Sequence, residues 1–249
     1  MRSVALIPAR SGSKRIKNKN LMDLRGHPLI AYSIVAAKES NVFDEIVVST
    51  DSALIAEVAE FYGASVPNLR PLVFAQDLSP DIEWVKLTLN NWLRVGDDDV
   101  FSILRPTSPL RRPQTISSAF KLFNSDESIQ SLRAIRPVKE HPNKMWQKSE
   151  GKKIVPLMPS INETTSVESH SSPFQTLPQI FVQDASLEFC RVWVARRLNS
   201  LTGTSILGFE MPGYEGFDIN YLEDFEELNR LVNEGKADIP NLAIDPYSP

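Results

Sequence analysis

Residues 4–20 read VALIPARSGSKRIKNKN, a short apolar run that ends at a proline and continues into a strongly basic segment. An apolar run as short as 4–7 is typical of a strand buried on both faces of a sheet. In the segment that follows this run, a glycine and small hydroxyl residues allow backbone N–H groups to approach phosphate oxygens, and Arg and Lys side chains neutralise the charge of those oxygens. We interpret 8–20 as a phosphate-binding loop, although it matches neither the Walker A nor the G-x-G-x-x-G pattern. The alternative is a solvated basic loop.

Downstream of this loop the pattern alternates between helix and strand. Pro28 opens a helix, 45–49 is an apolar strand, and residues 50–52 can cap a helix that ends at Phe61. Further helices are predicted at 82–93, 113–123 and 221–233, and further strands at 100–104, 131–135, 187–194 and 205–209. This alternation predicts an α/β fold with a mostly parallel sheet flanked by helices.

One stretch departs from the alternation. Residues 137–178 contain six prolines and many Ser, Thr and Lys, and little of the stretch has helical periodicity. We interpret it as a β-rich arm or lid. The domain prediction is therefore a single domain over 1–249, with 137–185 inserted into it.

The composition excludes several classes of protein. The single cysteine, Cys190, cannot form an internal disulfide or a cysteine metal cluster, and the three histidines are scattered. No segment approaches the ~18 continuous apolar residues of a membrane span. The run at 4–7 is followed at once by Pro8 and Arg10, unlike a signal peptide, so we expect a soluble, cytoplasmic protein without membrane contact.

Charge is distributed unevenly along the chain. The net charge is -4, yet seven Lys or Arg and a single acid fall within residues 1–25. A cluster this local suits a small polyanion, whereas a nucleic-acid partner would favour a broader basic face. We therefore expect no nucleic-acid partner.

Two further segments follow predicted strands, where open α/β sheets bind their ligands. Residues 104–112, LRPTSPLRR, form a proline-stiffened loop in which Arg105, Arg111 and Arg112 could face an anion, or simply a strand-to-helix connection. In the extended segment 217–220, FDIN, the side chains of Asp218 and Asn220 fall on one face. Their oxygens could hold a hard cation such as Mg²⁺. The acidic run 97–99 precedes its strand and is interpreted as a solvated turn.

These segments together resemble the acylneuraminate cytidylyltransferases, also called CMP-sialic acid synthetases. The resemblance rests on IPARSGSKRIKNKN from Ile7, VSTD from Val48, and LRP from Leu69 with AQDLS from Ala75. It also rests on RPTSPLR from Arg105, HPNK from His141 and FDIN-x-x-x-DF from Phe217. It implies a Rossmann-like nucleotidyltransferase fold with a β-rich dimerisation arm, and hence a homodimer.

The resemblance also implies roles for individual residues. It places the triphosphate on Arg10, Ser11, Gly12, Ser13 and Lys14, and cytidine near Asn20, Arg70 and Ser79. It makes Lys19, Arg10 and Asp218 the catalytic residues, Asp218 and Asn220 the Mg²⁺ ligands, and Arg105, Lys144 and Gln175 the sugar-binding residues.

The reaction implied is Mg²⁺-dependent transfer of CMP from CTP to the anomeric hydroxyl of a sialic-acid-like keto sugar acid, with release of pyrophosphate. The alternatives are the same transfer to legionaminate, pseudaminate or a 3-deoxy-octulosonate, and a nucleotide-binding homologue without catalysis.

The sequence departs from the family pattern at the sugar side and at the metal. The family usually has Gln at Arg105, Asp at Asn220, Arg at Phe174, and Asn-Gly-Ala at residues 184–186, here DAS. One hypothesis is that the guanidinium of Arg105 binds the acceptor carboxylate in place of the cation missing at Phe174.

Overall fold

The computed structural model describes residues 1–248. Contacts within the chain divide it into two units. The first comprises Met1–Ala134 together with the chain from Asp184 onward, and the second is Ile135–Gln183.

Within residues 1–248 there are ten strands and six α-helices, besides shorter helical turns. The strands are β1 Ser3–Pro8, β2 Asp23–Leu24, β3 His27–Pro28, β4 Glu45–Ser49, β5 Val100–Ile103, β6 Ser131–Pro137, β7 Trp146–Lys148, β8 Ile154–Pro156, β9 Phe181–Arg191 and β10 Ile206–Glu210. The helices are α1 Leu29–Glu39, α2 Ala53–Phe61, α3 Asp81–Leu87, α4 Pro113–Phe123, α5 Val192–Leu198 and α6 Leu222–Asn233. Among the helices of residues 1–248, none combines the length and apolar character needed to cross a bilayer.

A six-stranded sheet in the order β10-β6-β9-β5-β1-β4 forms the centre of the first unit. β1 pairs in parallel with β4 and β5, and β9 runs antiparallel to β5. Helices pack against this sheet, so the predicted α/β fold with a mostly parallel sheet is confirmed.

The strand β1 contributes to both faces of the sheet. Ala5 and Ile7 belong to one hydrophobic cluster and Val4 and Leu6 to another, and all four side chains are fully buried. A strand covered on both faces must be apolar at every position, which explains its unbroken apolar run. The chain leaves β1 at Pro8, and the basic loop begins there.

Local signals set most helix ends. The Ser52 hydroxyl accepts a hydrogen bond of 3.4 Å from the Ile55 N–H, which caps α2 as predicted. Pro113 occupies the first position of α4, where its missing N–H costs nothing. At α6 the Asp224 carboxylate accepts from the backbone N–H groups of Asn220 and Tyr221.

Two predicted elements have the wrong bounds. The strand predicted at 187–194 spans Phe181–Arg191, and Val192 and Val194 are buried on α5 instead. A short apolar run does not distinguish a buried strand from a buried helix. The segment predicted as one helix at 82–93 is α-helical only as far as Leu87 and continues as a π-helix over Thr88–Trp92.

The second unit is built from a hairpin and short turns. β7 and β8 pair antiparallel, and single turns of 3₁₀ helix occur at Pro142–Lys144, Ser169–Ser171 and Phe174–Thr176. Its role as a dimerisation arm stays a prediction.

Candidate functional site

A cavity of about 390 Å³ lies where the chain leaves β1 and β5, at their carboxyl ends. Its wall combines cationic, acidic and aromatic side chains. It is lined by Pro8, Arg10, Ser13, Lys19, Asn20, Arg70, Phe74, Gln76, Asp77, Ser79, Asp81, Trp84, Arg105, Pro106 and Thr107. The cavity therefore brings together residues from the basic loop, the segment 70–81 and the loop after β5.

The basic loop is held by acidic residues from two other segments. The Ser11 N–H and hydroxyl each lie 2.7 Å from a carboxylate oxygen of Asp51, at the end of β4. Arg10 forms an ion pair of 2.7 Å with Asp77, and Lys14 pairs with the other oxygen of the same carboxylate. The Asn20 amide donates to the Arg10 carbonyl at 3.0 Å. These contacts fix the loop with its cations at the cavity.

Gly12 lies on the open side of this loop. A Cβ added there would meet no heavy atom of residues 1–248 within 4 Å, so no contact with the described part of the chain requires glycine at this position. The absence of a side chain leaves backbone N–H groups open to a ligand, as a phosphate-binding loop needs.

Lys19 approaches the cavity from the short 3₁₀ turn Lys19–Leu21. Its ammonium donates a hydrogen bond of 2.9 Å to the carbonyl oxygen of Ile219. Burial lowers the pKa of Lys19 below that of an ordinary lysine, and the nearby Asp218 carboxylate acts in the opposite direction. A partly desolvated ammonium interacts strongly with any anion that enters the cavity.

Asp218 and Asn220 flank Ile219, whose carbonyl accepts the hydrogen bond from Lys19. The Asn220 amide donates to one carboxylate oxygen of Asp218 at 2.6 Å. The other oxygen, Oδ1, is buried and has no hydrogen-bond partner within residues 1–248. The side-chain oxygen of Asn220 accepts from Arg15 at 3.4 Å.

The unpartnered Asp218 oxygen bears on whether these residues fit Mg²⁺. A buried carboxylate oxygen without a partner is costly and is a natural place for a cation. Within residues 1–248 no group of three or more His, Cys, Asp or Glu side chains could hold a metal by itself. Mg²⁺ usually takes one or two carboxylates and completes its shell with water and substrate phosphates. The donor set therefore fits an ion shared with a phosphate ligand.

Arg70 lines the cavity and is held at the end of β4. Its side chain is buried, donates to the hydroxyl and carbonyl of Ser49 at 2.9 and 2.8 Å, and lies 4.7 Å from the Trp84 ring centroid. Burial lowers the pKa of Arg70 to about 10. Ser79 also lines this part of the cavity, and its hydroxyl donates to the Val73 carbonyl at 2.9 Å.

Arg105 lies near Arg70 in the wall, because its partner Asp81 also accepts from the Trp84 ring against which Arg70 lies. One nitrogen of its guanidinium lies 2.5 Å from Asp81 and 3.6 Å from the buried carboxylate of Glu188. The Trp84 indole N–H donates to the other oxygen of Asp81 at 2.8 Å. Burial acts to raise the pKa of Asp81, but the charge of Arg105 and the bond from Trp84 outweigh it, so the net pKa is lowered.

The interpretation of Arg111 as an anion-facing residue was wrong. Its side chain is fully buried and donates to the Ser186 carbonyl and to the Ser33 hydroxyl, the latter at 2.8 Å. Burial lowers its pKa to about 10, and the Asp184 carboxylate counteracts this. The guanidinium ties the loop after β5 to α1 and β9 and does not line the cavity.

Two predicted sugar-binding residues lie in the second unit. The Lys144 ammonium donates to the carbonyls of Ser172 and His170 at 2.6 and 3.3 Å. Gln175 lies in the turn Phe174–Thr176 and is exposed, as is Phe174. Of the predicted site residues in the first unit, the cavity wall includes Arg10, Ser13, Lys19, Asn20, Arg70, Ser79 and Arg105.

The sequence prediction missed the acidic partners of the site. Asp51 follows β4 and Asp77 follows the single 3₁₀ turn Leu72–Phe74, and both bind the cationic loop. Their position within the quoted VSTD and AQDLS motifs was the available signal. Asp81 looked like an ordinary first-turn acid of α3, and only the fold brings it to Arg105.

A family model described as "Cytidylyltransferase" matches residues 4–236. A CMP-N,N'-diacetyllegionaminic acid synthase of Legionella pneumophila is 39% identical over 182 residues, 71% of this chain and 75% of that protein. An N-acylneuraminate cytidylyltransferase of Escherichia coli is 40% identical over 132 residues, 53% of this chain and 30% of that protein. A pseudaminic acid cytidylyltransferase of Campylobacter jejuni is 38% identical over 133 residues, 51% of this chain and 56% of that protein.

Solved structures share the fold at low sequence identity. A structure of CMP:2-keto-3-deoxy-manno-octonic acid synthetase complexed with CTP superposes with a TM-score of 0.65 and 15% identity. It covers 94% of this chain and 100% of that chain. A 4-diphosphocytidyl-2C-methyl-D-erythritol synthase of Anaerococcus prevotii has a TM-score of 0.60 and 11% identity, over 93% of this chain and 98% of that chain.

Proposed function

The chain belongs to the cytidylyltransferase family, and from that premise we propose that it transfers CMP from CTP to the anomeric hydroxyl of a nonulosonic acid, with release of pyrophosphate. The family match makes it a nucleotidyltransferase. The acceptor class follows the relatives, whose names refer to a diacetyllegionaminic acid, an acylneuraminate and a pseudaminic acid. A 3-deoxy-octulosonate stays an alternative acceptor, because one structural neighbour is a synthetase named for such an acid.

One observation carries this proposal. Arg10 and Lys19 of the basic loop line the cavity, and Lys14 shares the Asp77 carboxylate with Arg10. Three cations at the end of a parallel strand suit a triphosphate. Lys19 donates to the carbonyl of Ile219, and the adjacent Asp218 has a buried carboxylate oxygen without a partner within residues 1–248, which suits a cation that a triphosphate carries.

The residues contribute position and charge, which phosphoryl transfer chiefly requires. Arg10 and Lys14 hold the outer phosphates, and open backbone N–H groups near Gly12 supplement them. The Lys19 ammonium, fixed by the Ile219 carbonyl, lies where negative charge on the α-phosphate and the leaving pyrophosphate can be stabilised. No covalent intermediate is required.

Asp218 would hold Mg²⁺, with the amide oxygen of Asn220 as a neutral second ligand. When bound, the ion would withdraw charge from the phosphate oxygens. Asn220 donates to Asp218 through its NH2 group and accepts from Arg15 through its oxygen, so the amide must turn over and release Arg15 before that oxygen can join Asp218 on the ion.

Arg105 is proposed to bind the acceptor. Only one of its guanidinium nitrogens pairs with Asp81 and Glu188, and no other hydrogen bond from this guanidinium occurs within residues 1–248. Its remaining edge, on a residue that lines the cavity, can take a carboxylate in a bidentate arrangement. Lys144 and Gln175 stay proposed sugar-binding residues.

A homodimer is also proposed, formed through the second unit. This unit exposes many large apolar side chains for its size, as an interface between two copies would require. They are Met145, Trp146, Ile154, Val155, Leu157, Met158, Ile161, Val167, Phe174 and Val182. Light scattering should give about twice the 28.0 kDa chain mass, and a monomer at micromolar concentration would contradict this proposal.

The experiment for the function is pyrophosphate release from CTP and Mg²⁺ with a panel of nonulosonic and octulosonic acids. Release with one acceptor, abolished in Lys19→Ala, establishes the transfer and names the acceptor. UTP in place of CTP serves as the control for the base. CTP binding without release from any acceptor would favour the non-catalytic alternative.

A further inference from the structure

The carboxylate of Asp77 forms ion pairs with two of the cations that are proposed to bind the triphosphate. One oxygen of Asp77 lies 2.7 Å from the Arg10 guanidinium, and the other contacts the Lys14 ammonium. The hydrogen bonds from Lys14 and Arg10 hold the pKa of Asp77 below its usual range, so this carboxylate is charged at neutral pH. Its two oxygens thus meet the same cations that would meet phosphate oxygens.

The segment that carries Asp77 is organised by local bonds. The Gln76 amide donates to the Leu72 carbonyl at 2.8 Å, and the Ser79 hydroxyl donates to the Val73 carbonyl at 2.9 Å. Its contacts with the basic loop are the two ion pairs of Asp77 and a bond of 3.4 Å from Arg10 to the Ala75 carbonyl. Breaking these contacts leaves the local bonds intact.

Most apolar side chains of this segment face outward. Leu72 and Val73 are about two-thirds exposed and Leu78 is 95% exposed, whereas Phe74 packs against the core. Asp77 lies beyond this anchor in an exposed part of the segment, so it can move away from the basic loop while Phe74 stays in place. The ion pairs of Asp77 are partly exposed to solvent, and such pairs are weak enough for a polyphosphate to displace.

We propose that Asp77 is an affinity-determining residue that competes with the phosphates of the nucleotide for Arg10 and Lys14. It pairs with these cations when the loop is free, withdraws when the triphosphate binds, and returns as pyrophosphate leaves. The proposal rests on the proposed function, because it takes the loop to be the triphosphate site.

Two consequences follow from such competition. The affinity of the loop for pyrophosphate is lower than its cations alone would give, because each binding event must first break the contacts of Asp77. Release of pyrophosphate is favoured by the same amount, because the departing anion is replaced by a carboxylate already in place. A ligand without phosphates, such as cytidine, is unaffected.

The test is calorimetric titration of the whole protein with inorganic pyrophosphate, CTP and cytidine. The variants are Asp77→Asn, which removes the charge, and Asp77→Glu, which keeps it. Asp98→Asn is the matched control, since it makes the same charge change at an exposed residue before β5, at the amino end of that strand. Circular dichroism checks that each variant is folded.

We expect Asp77→Asn to bind pyrophosphate and CTP roughly three- to tenfold more tightly than the wild type, the size expected when two partly exposed competing ion pairs are lost. Asp77→Glu and Asp98→Asn should bind like the wild type, and cytidine should bind all four proteins equally. Unchanged or weaker pyrophosphate binding by folded Asp77→Asn overturns the competition. If neither CTP nor pyrophosphate binds the wild type, the proposed function itself fails.

Discussion

The ammonium of Lys19 lies 2.9 Å from the carbonyl oxygen of Ile219 and donates a hydrogen bond to it. This contact joins the basic loop after β1 to the segment before α6, two parts of the chain 200 residues apart. It places a partly desolvated cation next to Asp218, whose Oδ1 lacks a hydrogen-bond partner within residues 1–248. The proposed chemistry therefore depends on a contact between the loop after the first strand and the segment before the last helix.

Replacement of Lys19 by alanine should reduce kcat far more than it raises the KM for CTP. The ammonium is placed to stabilise charge that develops during transfer, and removal of one such group typically costs about 10²- to 10³-fold. Steady-state pyrophosphate release measures both constants. Lys17→Ala, an exposed lysine of the same loop, is the control. A rise in KM alone would show that Lys19 only binds the nucleotide.

The pH profile should report the lowered pKa of Lys19. Because burial lowers this pKa, the ammonium loses its proton at a lower pH than an ordinary lysine, and activity should fall as pH rises through that value. Lys19→Arg keeps its charge to higher pH and should move the alkaline limb upward, even at reduced kcat. An alkaline limb that stays in place in this variant would assign it to another group.

The sequence predicted most of the sheet and the cationic half of the site. An apolar run such as 4–7 and a cap such as Ser52 are local signals, and both elements form as predicted. The end of β9 was mispredicted because Val192 and Val194 fit a buried strand and a buried helix equally well. Tertiary packing decides between the two.

The acidic half of the site could not be predicted in the same way. Arg105 and Asp81 are 24 residues apart, and their pairing depends on how α3 is placed beside the loop after β5. The burial of Arg111 likewise depends on the approach of β9, which supplies the Ser186 carbonyl. No periodicity or spacing encodes such contacts, since each depends on the whole fold.

Replacement of Asn220 by aspartate should lower the Mg²⁺ concentration needed for half-maximal activity, by about three- to tenfold. A second carboxylate beside Asp218 adds ligand charge, and affinity for a hard cation rises with that charge. Activity measured across a Mg²⁺ titration gives this value, with Glu223→Gln, a charge change at an exposed residue in the first turn of α6, as the control. An unchanged Mg²⁺ requirement would show that residue 220 does not contact the ion.

Replacement of Arg111 by methionine should destabilise the fold by about 3 kcal/mol, although this residue does not line the cavity. The change keeps most of the side-chain volume but leaves the Ser186 carbonyl without its donor and Asp184 without a nearby cation. Urea unfolding measures the loss. The exposed Arg112→Met should cost under ~1 kcal/mol, as expected for surface ion pairs. Equal effects of the two variants would contradict a structural role for Arg111.

Replacement of Arg105 by glutamine should raise the KM for the acid sugar about tenfold or more and leave the KM for CTP unchanged. The variant loses a charge-assisted hydrogen bond to the acceptor carboxylate, a bond worth roughly 1.5–3 kcal/mol. Asp81→Asn provides the second arm, because it keeps the guanidinium but removes the 2.5 Å contact that holds it. We expect a smaller rise in the same KM from this variant. If glutamine at 105 left the acceptor KM unchanged while Asp81→Asn raised it, the acceptor would be bound by Asp81 and not by Arg105.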